Sequence, residues 1–347
     1  MVNSRTPDLS RRGFLYSAGG VGAAALLAAC GTASNASKGN GGAASTSPAA
    51  AKSKSHRKLT SVTFDYPFTM LPVYAAVSRF AKERAGQVGV NLDLTNDNAS
   101  LDTQVSNLAT VIAKKAPAIV CFPVEPTTVE KQAAAARAAG AIWVTYGGDM
   151  TNQDASITFS FLKGGQLLGA EAARWAHQVL GGKGKIAFLI DNTIELGRLR
   201  SKGMIDAFTH AAPGVEVVAK QEAFTPDQAL TATNAILSKN PDVNIVLAVT
   251  DDAGTGAYQA LTQRGRSKTD AKTFVGGQDG GKASLALIQQ GTFYRASAAL
   301  AVSDIGRAVI DVPMAVADGA AHPSADVPIT LVRKGSAEIS KLLAQYG

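Results

Sequence analysis

From residue 59 onward the hydrophobic positions alternate between two periods. Short β-branched runs at 61–64, 90–94, 118–122 and 142–146 have the length and composition of strands. The stretches between them, 73–88, 101–115 and 127–139, carry apolar residues at the three-and-four spacing of amphipathic helices. A second series follows, with strands expected at 185–190, 215–219, 245–249 and 273–276 and helices at 164–180, 199–211, 227–239 and 253–265. After Gln290-Gly291 the pattern predicts a strand, a helix over 302–318, a short strand at 329–332 and a last helix at 337–346. Gly140, Gly181-Gly182 and Gly265 sit where helices of this register would end in a left-handed cap. Parallel strands need a crossover, usually helical, so this alternation implies βαβ units around mostly parallel sheets. The predicted class is α/β, and the length suits two lobes.

The first thirty residues follow a different pattern. Ser10-Arg11-Arg12-Gly13-Phe14-Leu15 precedes an uncharged Gly/Ala/Leu run over 17–29, too short and too weakly apolar for a permanent membrane span. The run closes on Leu27-Ala28-Ala29-Cys30-Gly31, which resembles a bacterial lipobox, and the paired arginines resemble a twin-arginine export signal. Residues 1–29 are therefore read as a lipoprotein signal peptide and Cys30 as the lipidated residue. Residues 30–58, rich in Gly, Ala, Ser, Asn and Lys, are read as a flexible linker. The expectation is an exported protein of the cell envelope, held by a lipid anchor on the outer face of the cytoplasmic membrane or in the periplasm.

Several function classes are disfavoured. The chain has only two cysteines; with Cys30 lipidated, Cys121 has no partner, and its apolar run makes it a small buried hydrophobe without a role. The net charge of +7 is spread among scattered lysines and arginines without interleaved aromatics, so nucleic acid is not an expected partner. The four histidines, at 56, 177, 210 and 322, show no metal-ligand spacing, and no nucleophile elbow is present, so neither a metal nor an enzyme activity is expected. Gly276-Gly277-Gln278-Asp279-Gly280-Gly281-Lys282-Ala283 nearly spells a phosphate-binding loop. It fails because Ala283 has no hydroxyl for magnesium and an acidic residue inside the loop would repel phosphate. No cofactor is expected.

Ligands of open parallel sheets sit beyond the carboxyl ends of the strands, which places the candidate loops at 65–71, 122–126, 146–150, 191–198, 250–254 and 277–281. These loops hold Asp65, Arg198, Asp251, Asp252 and Asp279, with Tyr66, Phe68, Tyr74, Tyr146 and Phe161 nearby. Carboxylates and guanidinium groups can engage two neighbouring hydroxyls, while ring faces pack on the C–H patches of a sugar. Asp251 or Asp252 could equally cap the helix that follows, and Asp279 could serve only a turn.

Over residues 59–334 the chain resembles the type I periplasmic sugar-binding proteins of ABC importers, the group of the ribose- and galactose-binding proteins. Leu71-Pro72-Val73-Tyr74 resembles that family's opening helix, which supplies aromatic ligand contacts, with Leu71 in place of a polar residue. Arg198-Leu199-Arg200-Ser201-Lys202-Gly203 resembles an arginine segment whose first arginine holds sugar hydroxyls, a role the resemblance gives to Arg198. In Val249-Thr250-Asp251-Asp252, Thr250 stands where the family carries a ligand-binding asparagine. Gly277-Gln278-Asp279-Gly280 resembles the turn whose aspartate grips sugar, pointing to Asp279. Tyr146-Gly147-Gly148-Asp149 departs from the family's charged pair, so either a larger ligand fills the space or Asp149 and backbone amides take over. The ligand-binding set read this way is Asp65, Tyr66, Tyr74, Asp149, Arg198, Thr250, Asp251 and Asp279. The resemblance further implies an N-terminal lobe of residues 59–160 plus 301–332 and a C-terminal lobe of 161–300 plus 333–347. The lobes would join through a three-segment hinge near residues 160–163, near Leu300 and after Val332. The implied partners are a sugar or sugar-like small molecule, an ABC transporter permease and the membrane through the lipid. A ligand-sensing protein that presents its solute to a membrane receptor is the alternative.

Overall fold

The computed structural model describes residues 57–347. The stretch read as a signal peptide, Cys30 and all but the last two residues of the stretch read as a linker lie outside the described residues. The first half runs β1 (Ser61–Tyr66), α1 (Pro72–Val88), β2 (Asn91–Asn96), α2 (Leu101–Ala113), β3 (Ala118–Cys121), α3 (Pro126–Ala138), β4 (Ile142–Tyr146) and β5 (Ala155–Thr158). The second runs α4 (Phe161–Leu180), β6 (Lys185–Ile190), α5 (Glu195–Ala211), β7 (Glu216–Glu222), α6 (Pro226–Lys239), β8 (Ile245–Ala248), α7 (Asp251–Gln263), β9 (Phe274–Asp279), α8 (Lys282–Gln289) and β10 (Tyr294–Leu300). The chain then adds α9 (Val302–Ala317), β11 (Ser324–Asp326), β12 (Ile329–Arg333) and α10 (Ile339–Ala344).

These strands make two six-stranded sheets, ordered β11-β5-β4-β3-β1-β2 and β12-β10-β9-β8-β6-β7. Every pairing is parallel except β10 with β12. The central strands β3 and β8 are buried along their whole length, as their unbroken apolar runs require when helices cover both faces. Edge strands β2 and β7 carry the polar residues instead. The four glycines read as helix stops all have positive φ: 89° at Gly140, 65° at Gly181, 73° at Gly182 and 86° at Gly265.

The chain passes from one sheet to the other three times: between β5 and α4, between β10 and α9, and between β11 and β12. The last passage corrects the sequence reading, which put 301–332 in the first lobe and the crossing after Val332. β12 hydrogen-bonds antiparallel to β10, Ala296 opposite Arg333 through Leu300 opposite Ile329, and so belongs to the second sheet. The crossing therefore falls at Val327-Pro328. The sequence reading also missed β5 and β11, four and three residues long, which are too short to show a period.

Helices α4 and α5 pack unusually closely. A Cβ on Gly165 would lie 2.2 Å from the Arg200 carbonyl oxygen, one on Gly169 2.4 Å from that of Met204, and one on Gly203 2.2 Å from that of Leu162. Three glycines thus let backbone touch backbone along this pair, and they set the position of α5 and of the arginine it carries.

Candidate functional site

The loops at the carboxyl ends of the strands from both sheets face one another across a cleft. From the first lobe, Phe68, Leu71, Val73, Tyr74, Tyr146 and Phe159 line it. From the second come Phe161, Leu196, Arg200, Phe224, Asp279 and Leu300. The space enclosed is about 10 Å³, the scale of a single water. A sugar can enter only if the lobes part or the rings turn aside.

One polar cluster lies within these walls. Arg200 donates from Nη2 to Asp279 Oδ1 at 2.6 Å and from Nη1 to the Val249 carbonyl at 3.2 Å, and its guanidinium lies 5.4 Å from the Phe161 ring centre. Burial raises the Asp279 carboxyl to about 6, and the Arg200 guanidinium opposes that rise. Across the cleft the Tyr74 and Tyr146 side chains interact with each other, and both sense the charges of Asp279 and Arg200. Burial, the largest cause, pushes both phenols well above their ordinary range, so both stay protonated and able to donate.

Aromatic rings surround the cluster. Phe68 of the first lobe meets Phe224 of the second at 5.1 Å between ring centres, and Phe159 meets Phe161 edge-on at 4.9 Å. Tyr146 adds a contact to Phe159 at 5.3 Å.

Asp279 keeps its aim through a held turn. Its φ is +116°, a conformation that a non-glycine residue adopts only when its surroundings compel it, at a cost of about 1–3 kcal/mol. Asp251 supplies much of that compulsion. Its Oδ2 accepts from the Gly281 amide at 2.8 Å and from Ser284 and Ser297 hydroxyls at 2.7 Å each, and its Oδ1 accepts from the Tyr294 hydroxyl at 2.7 Å. Ser297 Oγ in turn accepts from the Gly280 amide at 3.1 Å.

Of the residues read from sequence, Tyr74 and Asp279 line the cleft; the others are placed elsewhere, and each is a correction with a local cause. Asp65 is fully buried below the cleft floor, where it accepts from Thr95 Oγ1 at 2.7 Å and Gln104 Nε2 at 2.9 Å. Gln104 also reaches Asp97 and the Phe122 carbonyl, so Asp65 braces loops and does not face a ligand. Tyr66 stacks behind Tyr74 at 6.0 Å. Asp149 is exposed and held by Gln153 Nε2. Thr250 caps α7, accepting from the Ala253 amide at 3.0 Å while donating to the Phe224 carbonyl at 2.8 Å. Asp251 is wholly engaged in the turn just described. Arg198 is exposed, 3.4 Å from Glu125 of the opposite lobe.

Arg200 is the charged lining residue to which the sequence reading gave no role. The helix was expected to start at 199, but it starts at Glu195. From that start the four-residue spacing of Leu196, Arg200, Met204 and Phe208 marks one buried face, and Arg198, two residues off, must point away. That spacing was the available signal.

Comparison with known proteins now adds to the geometry. A model of the "Periplasmic binding protein domain" matches residues 63–321. The xylitol-binding protein of Mycolicibacterium smegmatis is 30% identical over 225 residues, 62% of this chain and 63% of the relative. The ribose import binding protein of Bacillus subtilis is 26% identical over 231 residues, 65% of this chain and 70% of that protein. This chain thus spans just under two thirds of the first relative and just over two thirds of the second. Among solved structures, an ABC transporter solute-binding protein from Mycobacterium smegmatis with bound glycerol superposes with a TM-score of 0.72 at 27% identity, covering 82% of this chain and 97% of that one. A Bacillus halodurans solute-binding protein with bound myo-inositol shares the fold, with a TM-score of 0.73 at 19% identity and coverage of 83% and 98%. Each of these is a binding protein. With the matched domain, the two parallel-stranded lobes and the cleft between them taken together, the chain belongs to the periplasmic binding protein family, in its type I, sugar-binding-protein-like form.

Proposed function

We propose that this chain captures a small sugar or polyol outside the cytoplasm and delivers it to the permease of an ABC importer. One observation carries the reading: the buried Arg200–Asp279 pair of one lobe faces the Tyr74–Tyr146 hydroxyl pair of the other within walls of aromatic rings. Charge-assisted bonds to hydroxyls from one side and ring faces against C–H patches from the other are the two interactions a carbohydrate can satisfy together. The xylitol, ribose and glycerol carried by the relatives support that class.

In this reading residues 59–160 with 301–327 act as one rigid lobe and 161–300 with 329–347 as the other, and ligand shifts the population toward the closed arrangement. Cys30 carries the lipid, the signal peptide is removed, and the linker lets the folded part reach its permease. The site residues proposed here are Tyr74, Tyr146, Arg200 and Asp279, with Asp251 holding the turn.

A thermal-shift screen of the full chain against xylitol, D-ribose and glycerol tests the proposal. A ligand at a hundred times its dissociation constant stabilises the fold by about 2.7 kcal/mol. Stabilisation that disappears in Arg200→Met supports the reading. No shift with any of the three at millimolar concentration counts against it.

A further inference from the structure

The polar inventory of the cleft is short, and it restricts the ligand further. Among the described residues Arg200, Asp279, Tyr74 and Tyr146 are the only lining side chains with a hydrogen-bonding group, and they form one cluster. Part of their capacity is already committed, Asp279 Oδ1 and two guanidinium nitrogens to one another and to the Val249 carbonyl. The remaining wall side chains, with Phe68 against Phe224 at 5.1 Å and Leu71, Leu196 and Leu300 beside them, carry no polar group for a hydroxyl. A hydroxyl buried without a partner loses its water and gains nothing in exchange. A hexose hydroxylated on every side would bury some of its hydroxyls against these rings.

We propose that the ligand is a sugar with one hydroxyl-poor face, of the deoxyhexose class, its hydroxyls on the Arg200–Asp279 and Tyr74–Tyr146 cluster and its methyl group against Phe68 and Phe224. The inference rests on the sugar-or-polyol reading above. It makes the aromatic pair the specificity determinant: the rings accept the methyl group and reject the hydroxymethyl group.

Two sugar pairs that differ by one terminal hydroxyl test it: D-fucose against D-galactose, and L-rhamnose against L-mannose. Calorimetry on the full chain is expected to show the deoxy member of at least one pair binding about tenfold more tightly, the discrimination that one unpartnered hydroxyl brings. Phe224→Ser, which offers a hydroxyl in place of a half-buried ring, is expected to shrink that ratio while leaving the fold intact by circular dichroism. The hydroxylated member binding as well or better in both pairs overturns the inference and leaves the function standing. So does binding of xylitol, D-ribose or glycerol with none of the four sugars bound. If none of the seven compounds binds, the function reading fails as well.

Discussion

Arg198 Nη2 of the second lobe lies 3.4 Å from Glu125 Oε2 of the first, and among the described residues this is the ion pair that joins the two lobes. Arg198 is steadied by the Asn192 and Thr193 carbonyls, at 3.5 and 3.4 Å, and Glu125 stands at the start of α3. Because the partners belong to different lobes, the pair exists only when the lobes are together. Neither partner lines the enclosed space of the cleft.

Arg198→Ala should therefore weaken ligand binding modestly. An ion pair this exposed is worth about 0.2–1 kcal/mol, at most a fivefold change in affinity. The loss should fade as NaCl rises from 20 to 500 mM, both round choices on either side of about 0.1 M, where exposed charges become screened. Glu125→Gln in the Arg198→Ala background should add nothing, and calorimetry on the double-mutant cycle measures this.

Arg200→Met should behave differently. Removing the guanidinium leaves Asp279 buried without its partner, which costs about 3–5 kcal/mol where the carboxylate must stay ionised. Since burial already raises Asp279 to about 6, the variant can escape by protonation. Thermal denaturation should show a large deficit at pH 8 and a smaller one at pH 5, and sugar binding should be lost at both.

Asp251→Ala tests the held turn. Four donors lose their acceptor, those of Gly281, Ser284, Ser297 and Tyr294. Unsatisfied buried groups cost about 1–3 kcal/mol each, less where water enters. A loss of stability together with weakened binding is expected although Asp251 does not line the cleft. Urea denaturation with parallel calorimetry reads both.

Gly165→Ala should push α5 off α4, because its Cβ would meet the Arg200 carbonyl at 2.2 Å. Overpacking of this kind costs about 1–3 kcal/mol. Displacement of Arg200 should weaken sugar binding by more than the same substitution at exposed Gly86, where nothing lies within 4 Å of the added carbon.

Stability should fall as pH rises through neutrality. Burial raises Asp97 and Asp252 each to about 7 and Asp279 to about 6, from an ordinary 3.8, and raises Asp65 as well. Groups raised in the folded state hold more protons there than in the unfolded chain. Their contribution is complete below about pH 4 and is lost as pH climbs through 6 and 7. Glu130, Asp242 and Asp270 are shifted downward and oppose this only at more acidic pH. The melting temperature should thus be higher at pH 5 than at pH 8, and Asp97→Asn should flatten the difference.

Much of the architecture was legible in the sequence because period and burial are coupled. Strands such as β3 and β8 are buried on both faces and read as unbroken apolar runs, and helices such as α4 show one apolar stripe. The cleft lining was legible only in part. Tyr74 and Asp279 do line it, but Asp65, Thr250 and Asp251 carry the same residue types at the same strand ends and are spent on the scaffold. A carboxylate at a strand end looks alike in one dimension whether it faces a cleft or a neighbouring backbone amide.

The sequence by itself determined the alternation of elements, the α/β class and the loops that meet at the cleft, since each follows from local period and turn chemistry. The tertiary structure alone decided that β12 joins the second sheet, that Arg200 faces inward while Arg198 reaches for Glu125, and that Asp251 holds the turn of Asp279. Those outcomes depend on helix phase and on partners far apart in the chain, and a difference of two residues on a helix turns a side chain to the opposite face.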